Sequence, residues 1–228
     1  MKMKKIISIL ISAMLTAGCS APSAQPTASA QVNAVKTEYE ALNGTVNSAG
    51  KENRTVTIPE DAPFVLTAPE EIVKKAEAKE SFYAVYSDPL CPWCRSVIEA
   101  ACESAKENHI DTIYMVDIWD EEGNEIFRDK YKIKEGAIVK VQDGTEAYQR
   151  TLELFGSVLG EYSITDENGT SYAVGEKRIF APNFIYVKNG SAIALTEGIS
   201  DLQKDSREEL TEEIRQNEKR ILDQFFQE

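Results

Sequence analysis

Residues 82–95 read Phe82-Tyr83-Ala84-Val85-Tyr86-Ser87-Asp88-Pro89-Leu90-Cys91-Pro92-Trp93-Cys94-Arg95. The first five are apolar and aromatic, of strand length, and bounded by the turn-forming pair Asp88-Pro89. Behind Cys94 the pattern changes period. Val97, Ile98, Ala101, Cys102 and Ala105 fall with Cys94 on one face of a helix, while Glu99, Glu103 and Lys106 fall mostly on the other. Pro92 suits the first turn of that helix, because it has no N–H to leave unpaired. A second apolar run, centred on Ile113-Tyr114-Met115-Val116 within residues 112–119, follows the helix. A strand, a helix and a strand in this order predict a right-handed parallel crossover and an α/β fold.

The cysteine spacing then has two physical readings. A structural metal site needs a second Cys-X-X-Cys pair or histidine ligands. The chain has four cysteines and a single histidine, His109, so a zinc site is not expected. A redox dithiol needs a strand ahead of the motif and a helix opening inside it, and both are predicted. Cys91 would then stand at the helix N-terminus, where free amides and the helix dipole favour a thiolate. Cys94, one turn inside, would resolve a mixed disulfide. Trp93 would offer a flat apolar contact or simply pack. Arg95 either adds positive potential to the site or, as the plainer reading, is simply a solvated cation. Cys102 reads as a small buried hydrophobe. No cofactor is implied.

Beyond the crossover, Tyr148, Leu152, Phe155 and Leu159 recur at helical spacing. Asp166-Glu167-Asn168-Gly169 predicts a hairpin between Tyr162–Ile164 and Ser171–Val174. Asn189-Gly190, between Phe184–Val187 and Ala192–Leu195, is the strongest hairpin signal in the chain. Ser206 with Glu209 reads as a capping box opening a C-terminal helix with Leu210, Ile214, Ile221, Leu222 and Phe225. Thr67-Ala68-Pro69-Glu70 reads as another, ahead of Ile72, Val73 and Ala76.

On these features the chain resembles the thioredoxin family over residues 65–228: strand, Cys91-Pro92-Trp93-Cys94, helix, strand, then Ala181-Pro182 before a terminal hairpin and a final helix. The resemblance implies a thioredoxin-like fold, with a central mixed sheet flanked by helices. It implies a cis-proline at Pro182 lying against the dithiol, with Ala181 offering its backbone to a bound peptide strand. Three departures stand out. Val85 occupies the place where the family carries a buried acid. Residues 120–180 form an insertion ahead of the cis-proline. The Pro-Trp dipeptide is neither the Gly-Pro of general reductases nor the Pro-His of strong oxidants, so redox direction stays open.

At the other end, Lys2, Lys4 and Lys5 precede the apolar run Ile6–Leu15, which fits a signal-peptide core and is short for a membrane span. The following Leu15-Thr16-Ala17-Gly18-Cys19-Ser20 resembles the lipobox of bacterial lipoproteins, with Thr16 where leucine is usual. That implies removal of residues 1–18 and lipidation of Cys19, hence a protein anchored at the extracytoplasmic face of the cell membrane. Residues 19–55, rich in Ala, Ser, Pro, Gln, Thr and Asn, read as a flexible tether, with the folded domain spanning 56–228. The formal net charge of −13 argues against nucleic acid as a partner. Exported protein thiols or disulfides are the expected partners, together with a membrane redox partner. The expected activity is thiol–disulfide exchange. The alternative, carried by a further resemblance to thioredoxin-like bacteriocin-transport accessory proteins, is a binding module of a secretion or envelope complex.

Overall fold

The computed structural model describes residues 28–47, 50–116, 118 and 125–228. The signal segment, Cys19 and Trp119 lie outside them. A five-stranded mixed sheet forms the centre, in the order β1-β3-β2-β8-β9. Its strands are β1 (Phe64–Thr67), β2 (Phe82–Tyr86), β3 (Ile113–Val116), β8 (Asn183–Lys188) and β9 (Ser191–Thr196). β3 lies between β1 and β2 and runs parallel to both; β8 is antiparallel to β2, and β9 to β8. Two further hairpins stand apart from this sheet: β4 (Lys130–Lys134) with β5 (Ala137–Gln142), and β6 (Gly160–Thr165) with β7 (Ser171–Arg178).

Strand alternation sorts the side chains into two cores. Val85, Ile113, Met115 and Phe184 point to one face, where they meet α1 (Ala28–Ala41), α3 (Pro92–Glu107) and α5 (Glu212–Phe226). Phe82, Ala84, Tyr86, Val116, Ile185 and Val187 point to the other, against α2 (Pro69–Glu77) and α4 (Glu146–Phe155). A sheet covered on both faces explains why its inner strands read as nearly continuous apolar runs. The chain is thus mixed α/β with a mixed central sheet between helices, as the expected fold class requires at that level.

The motif helix buries Cys94, Val97, Ile98, Ala101, Cys102 and Ala105, the face its periodicity predicted. The Asn189-Gly190 turn has positive φ at both residues, 52° and 78°. Glycine is needed at 190 for a second reason: a Cβ there would collide with the Ala76 carbonyl at the end of α2. The 166–169 turn joins β6 and β7 as predicted.

Several expectations need correction. Residues 28–41 form a helix, and residues 43–47 and 50–58 are held against the domain, so the tether expected over 19–55 does not extend through these residues. Val35 and Tyr39, one turn apart, are fully buried; with Val32 they recur at i, i+3 and i+7, a short helical pattern masked by the Ala, Ser and Gln around it. The domain therefore begins well before Val56. Thr67 ends β1 and donates its hydroxyl to the Val65 carbonyl at 3.0 Å, so α2 starts from Ala68 without a side-chain cap. Ser206 and Glu209 do not open α5. Glu208 instead folds back onto the Lys204 and Asp205 amides, and Thr211 caps the helix by accepting from the Ile214 N–H at 3.2 Å. Leu159 lies past the end of α4. The insertion contains the hairpin β4–β5, which the sequence reading did not resolve.

Candidate active site

Cys91 is the N-cap of α3, in extended conformation, and Pro92 occupies the first turn. Its sulfur accepts the Cys94 backbone N–H at 3.5 Å and faces the Ala181 carbonyl at 3.4 Å, to which the thiol donates. The two thiols are free and lie 3.2 Å apart. Their surroundings differ sharply. Cys91 is half-buried at the mouth of a groove, whereas Cys94 is fully buried. The hydrogen bond from Cys94, helped by the Cys94 and Trp93 amides at the helix start, pulls the Cys91 thiol below its ordinary value. Burial, with Cys91 beside it, pushes Cys94 well above. The surroundings thus favour the thiolate at Cys91 over the thiolate at Cys94.

The Ala181–Pro182 bond is cis. Asn183 brackets it. Its Oδ1 accepts the Phe180 N–H at 2.7 Å and its Nδ2 donates to the Pro182 carbonyl at 3.0 Å. Because Asn183 is also the first residue of β8, paired with Tyr86, the sheet itself sets the Ala181 carbonyl opposite Cys91. Trp93 is half-buried beside the motif. The sequence-predicted residues Cys91, Cys94, Ala181 and Pro182 thus converge; Cys19 lies outside the described residues.

Two further residues, Asp88 and Arg178, were missed, and a third, Arg95, was misread. Asp88 brings a carboxyl whose charge acts on the pair, in the absence of an acid at Val85. Burial raises its pKa, its carbonyl accepts the Cys91 N–H at 3.0 Å, and its charge works against the Cys91 thiolate. In the sequence it reads only as a strand-ending Asp-Pro. Arg95 is not a solvated cation: it is 1% exposed. Its guanidinium donates to the carbonyls of Arg54 (2.7 Å), Tyr39 (2.9 Å) and Pro89 (3.0 Å), and to Asn43 Oδ1 (2.6 Å). It thereby ties the N-terminal segment to the loop before Cys91, satisfying a carbonyl at the C-terminal end of α1. Tyr39 adds a second tie through Ser87, Oη to Oγ at 2.6 Å. Arg178 closes β7 and lines the same groove as Cys91.

That groove has a volume of about 1020 Å³ and runs from Cys91 and Ala181 between the two hairpins. Tyr131, Tyr162 and Phe180 form an edge-to-face ladder along it, with centroids 5.8 and 6.2 Å apart. Among the described residues, no helix is long and apolar enough to cross a membrane. No protein-family model matches this chain, and no curated protein matches it either.

Proposed function

We propose that this chain is a thioredoxin-like thiol–disulfide oxidoreductase, held at the extracytoplasmic face of the membrane by a lipidated Cys19 and acting on exported proteins. The observation that carries the reading is the asymmetry of the pair: an accessible, acidified Cys91 on a helix N-terminus, with a shielded, proton-retaining Cys94 at 3.2 Å. The cis bond before β8 and the strand order around β2 support the fold assignment.

The chemistry follows from that geometry. The Cys91 thiolate attacks one sulfur of a client disulfide; a Cys91–client bond forms, the client S–S bond breaks, and a client thiolate leaves. Cys94 then loses its proton and attacks the Cys91 sulfur. The Cys91–Cys94 disulfide forms and the second client thiolate is released, so two electrons pass from the dithiol to the client. With the pair oxidised at the outset, the same steps run in reverse. Repeated turnover needs a membrane dithiol or disulfide partner to reset the pair.

The decisive experiment follows exchange between the purified chain and a model disulfide. Cys91→Ala should abolish it. Cys94→Ala should instead accumulate adducts that disappear on reduction, because Cys102, the remaining thiol among the described residues, is buried away from them. Loss of trapping on both substitutions, with exchange unchanged, would sink the reading and favour a binding module. A redox titration then sets direction: a potential near roughly −270 mV marks a reductant and one near −120 mV an oxidant.

A further inference from the structure

Arg178 is 9% exposed, yet it lines the groove. Among the described residues it forms no ion pair, and it donates a single hydrogen bond, to the Asp129 carbonyl at 2.7 Å. A guanidinium carries five N–H donors in a fork shaped for carboxylates, and a buried cation without an anion is costly. The rest of its support is aromatic. The guanidinium carbon sits 4.3 Å from the centre of the Tyr162 ring and 6.0 Å from that of Phe180. Phe180 directly precedes Ala181, whose carbonyl faces Cys91. Arg128, a second lining cation close enough to repel Arg178, is paired with Glu125 at 3.4 Å. Glu125 attracts Arg178 only through space, its carboxylate being paired with Arg128 and Lys130; of the lining acids, Glu167 is exposed and pairs with no cation among the described residues. Asp166, at the hairpin tip, holds the amides of its own turn, Asn168 at 2.9 Å and Thr170 at 2.8 Å. Asp88 lies at the Cys91 end, near Arg128.

We infer that this groove selects extended client segments carrying a carboxylate side chain close to the reacting cysteine, and that Arg178 receives that carboxylate. The inference rests on the exchange chemistry proposed above. A polypeptide is the occupant because about 1020 Å³ is at the top of the range, roughly 300–1,000 Å³, that small ligands fill. The aromatic ladder also offers a continuous track leading away from Ala181. In a chain of net charge −13, this buried arginine is a local exception that an acidic segment would find.

The test uses the reduced full chain and two peptides identical except for Glu or Gln two residues from their cysteine. Each is presented as a mixed disulfide with neutral mercaptoethanol. The Glu peptide should react about tenfold faster, equivalent to about 1.4 kcal/mol. The Glu-to-Gln rate ratio should fall to about one in Arg178→Gln and stay intermediate in Arg178→Lys. Equal rates in the unaltered chain, which needs no variant to fold, overturn the inference. So does a ratio that survives in folded Arg178→Gln. Glutathione disulfide reacting as fast as the Glu peptide would assign the groove to a small acidic thiol and overturn the peptide occupant. If neither peptide exchanges, the oxidoreductase reading fails by itself. The groove is then judged by calorimetry with cysteine-to-serine peptides, where a roughly tenfold tighter Kd for Glu is expected and equal Kd values refute the selection.

Discussion

Along β2 and β8 most side chains are buried, on both faces of the sheet, whereas β4, β5 and β6 carry only half-buried and exposed residues. The two regions meet at Cys91. The sheet and α3 place the sulfur; the hairpins wall the space in front of it. Under the proposed function, the difference separates two tasks. Exchange chemistry needs atoms held to a few tenths of an ångström, which dense packing provides. Selection needs a surface whose residues can change without loss of the fold, and half-exposed hairpins provide that.

The largest test of this division is a pair of truncations. Phe184→Ala, at 1% exposure in the core under α3 and α5, should cost about 3–5 kcal/mol in denaturant unfolding. Ile164→Ala, half-buried in β6, should cost less than about 1 kcal/mol while altering exchange with peptides. Equal costs would show that the hairpins are integral to the core.

Arg95 extends the core side of the comparison to residues 34–58. Arg95→Ala leaves the Tyr39, Arg54 and Pro89 carbonyls and the Asn43 side chain without this donor, and should cost about 3 kcal/mol. Hydrogen exchange in residues 34–58 should rise first. Arg95→Lys should not rescue it, since an ammonium cannot span the same fork of acceptors. Unchanged protection would mean that the segment holds by its apolar contacts alone.

Glu218, on α5, is fully buried with both carboxyl oxygens lacking a hydrogen-bond partner among the described residues. Burial lifts its pKa from the ordinary 4.5 to about 8, despite the opposing charges of Arg54 and Arg215. A raised carboxyl favours the protonated folded state. Its contribution is therefore full below about 4.5 and is lost progressively as pH rises to about 8. Glu218→Gln should flatten stability over that window and raise it near pH 7.5 by roughly 2–3 kcal/mol. A variant with the same pH profile as the parent would refute this.

The smallest effect is expected at Cys102, on the buried face of α3, whose thiol burial pushes up to about 12. Cys102→Ala should leave the exchange rate within about twofold of the parent. A large loss in a folded variant would bring a third thiol into the chemistry.

Much of the sheet and its motif helix was legible because their signals are local. Phe82–Tyr86 is apolar throughout, α3 repeats every 3.6 residues, and Asn189-Gly190 names its own turn. The N-terminal helix was not, because its membership depends on a partner distant in sequence: Arg95 reaches Tyr39 across 56 residues. The caps misled for a related reason. Thr67 and Ser206 have the right chemistry, but β1 claims the first and the Glu208 turn displaces the second.

The sequence by itself determined the dithiol, the strand and helix on either side of it, the final hairpin and the position of Pro182. Each of these is written in the period or turn chemistry of a few adjacent residues. Only the tertiary structure decided that Arg95 points inward, that the Asp88 charge acts on the pair, and that Arg178 lines the same groove as Cys91. A side chain's burial and charge partners are set by segments that the sequence keeps far apart and the fold brings together.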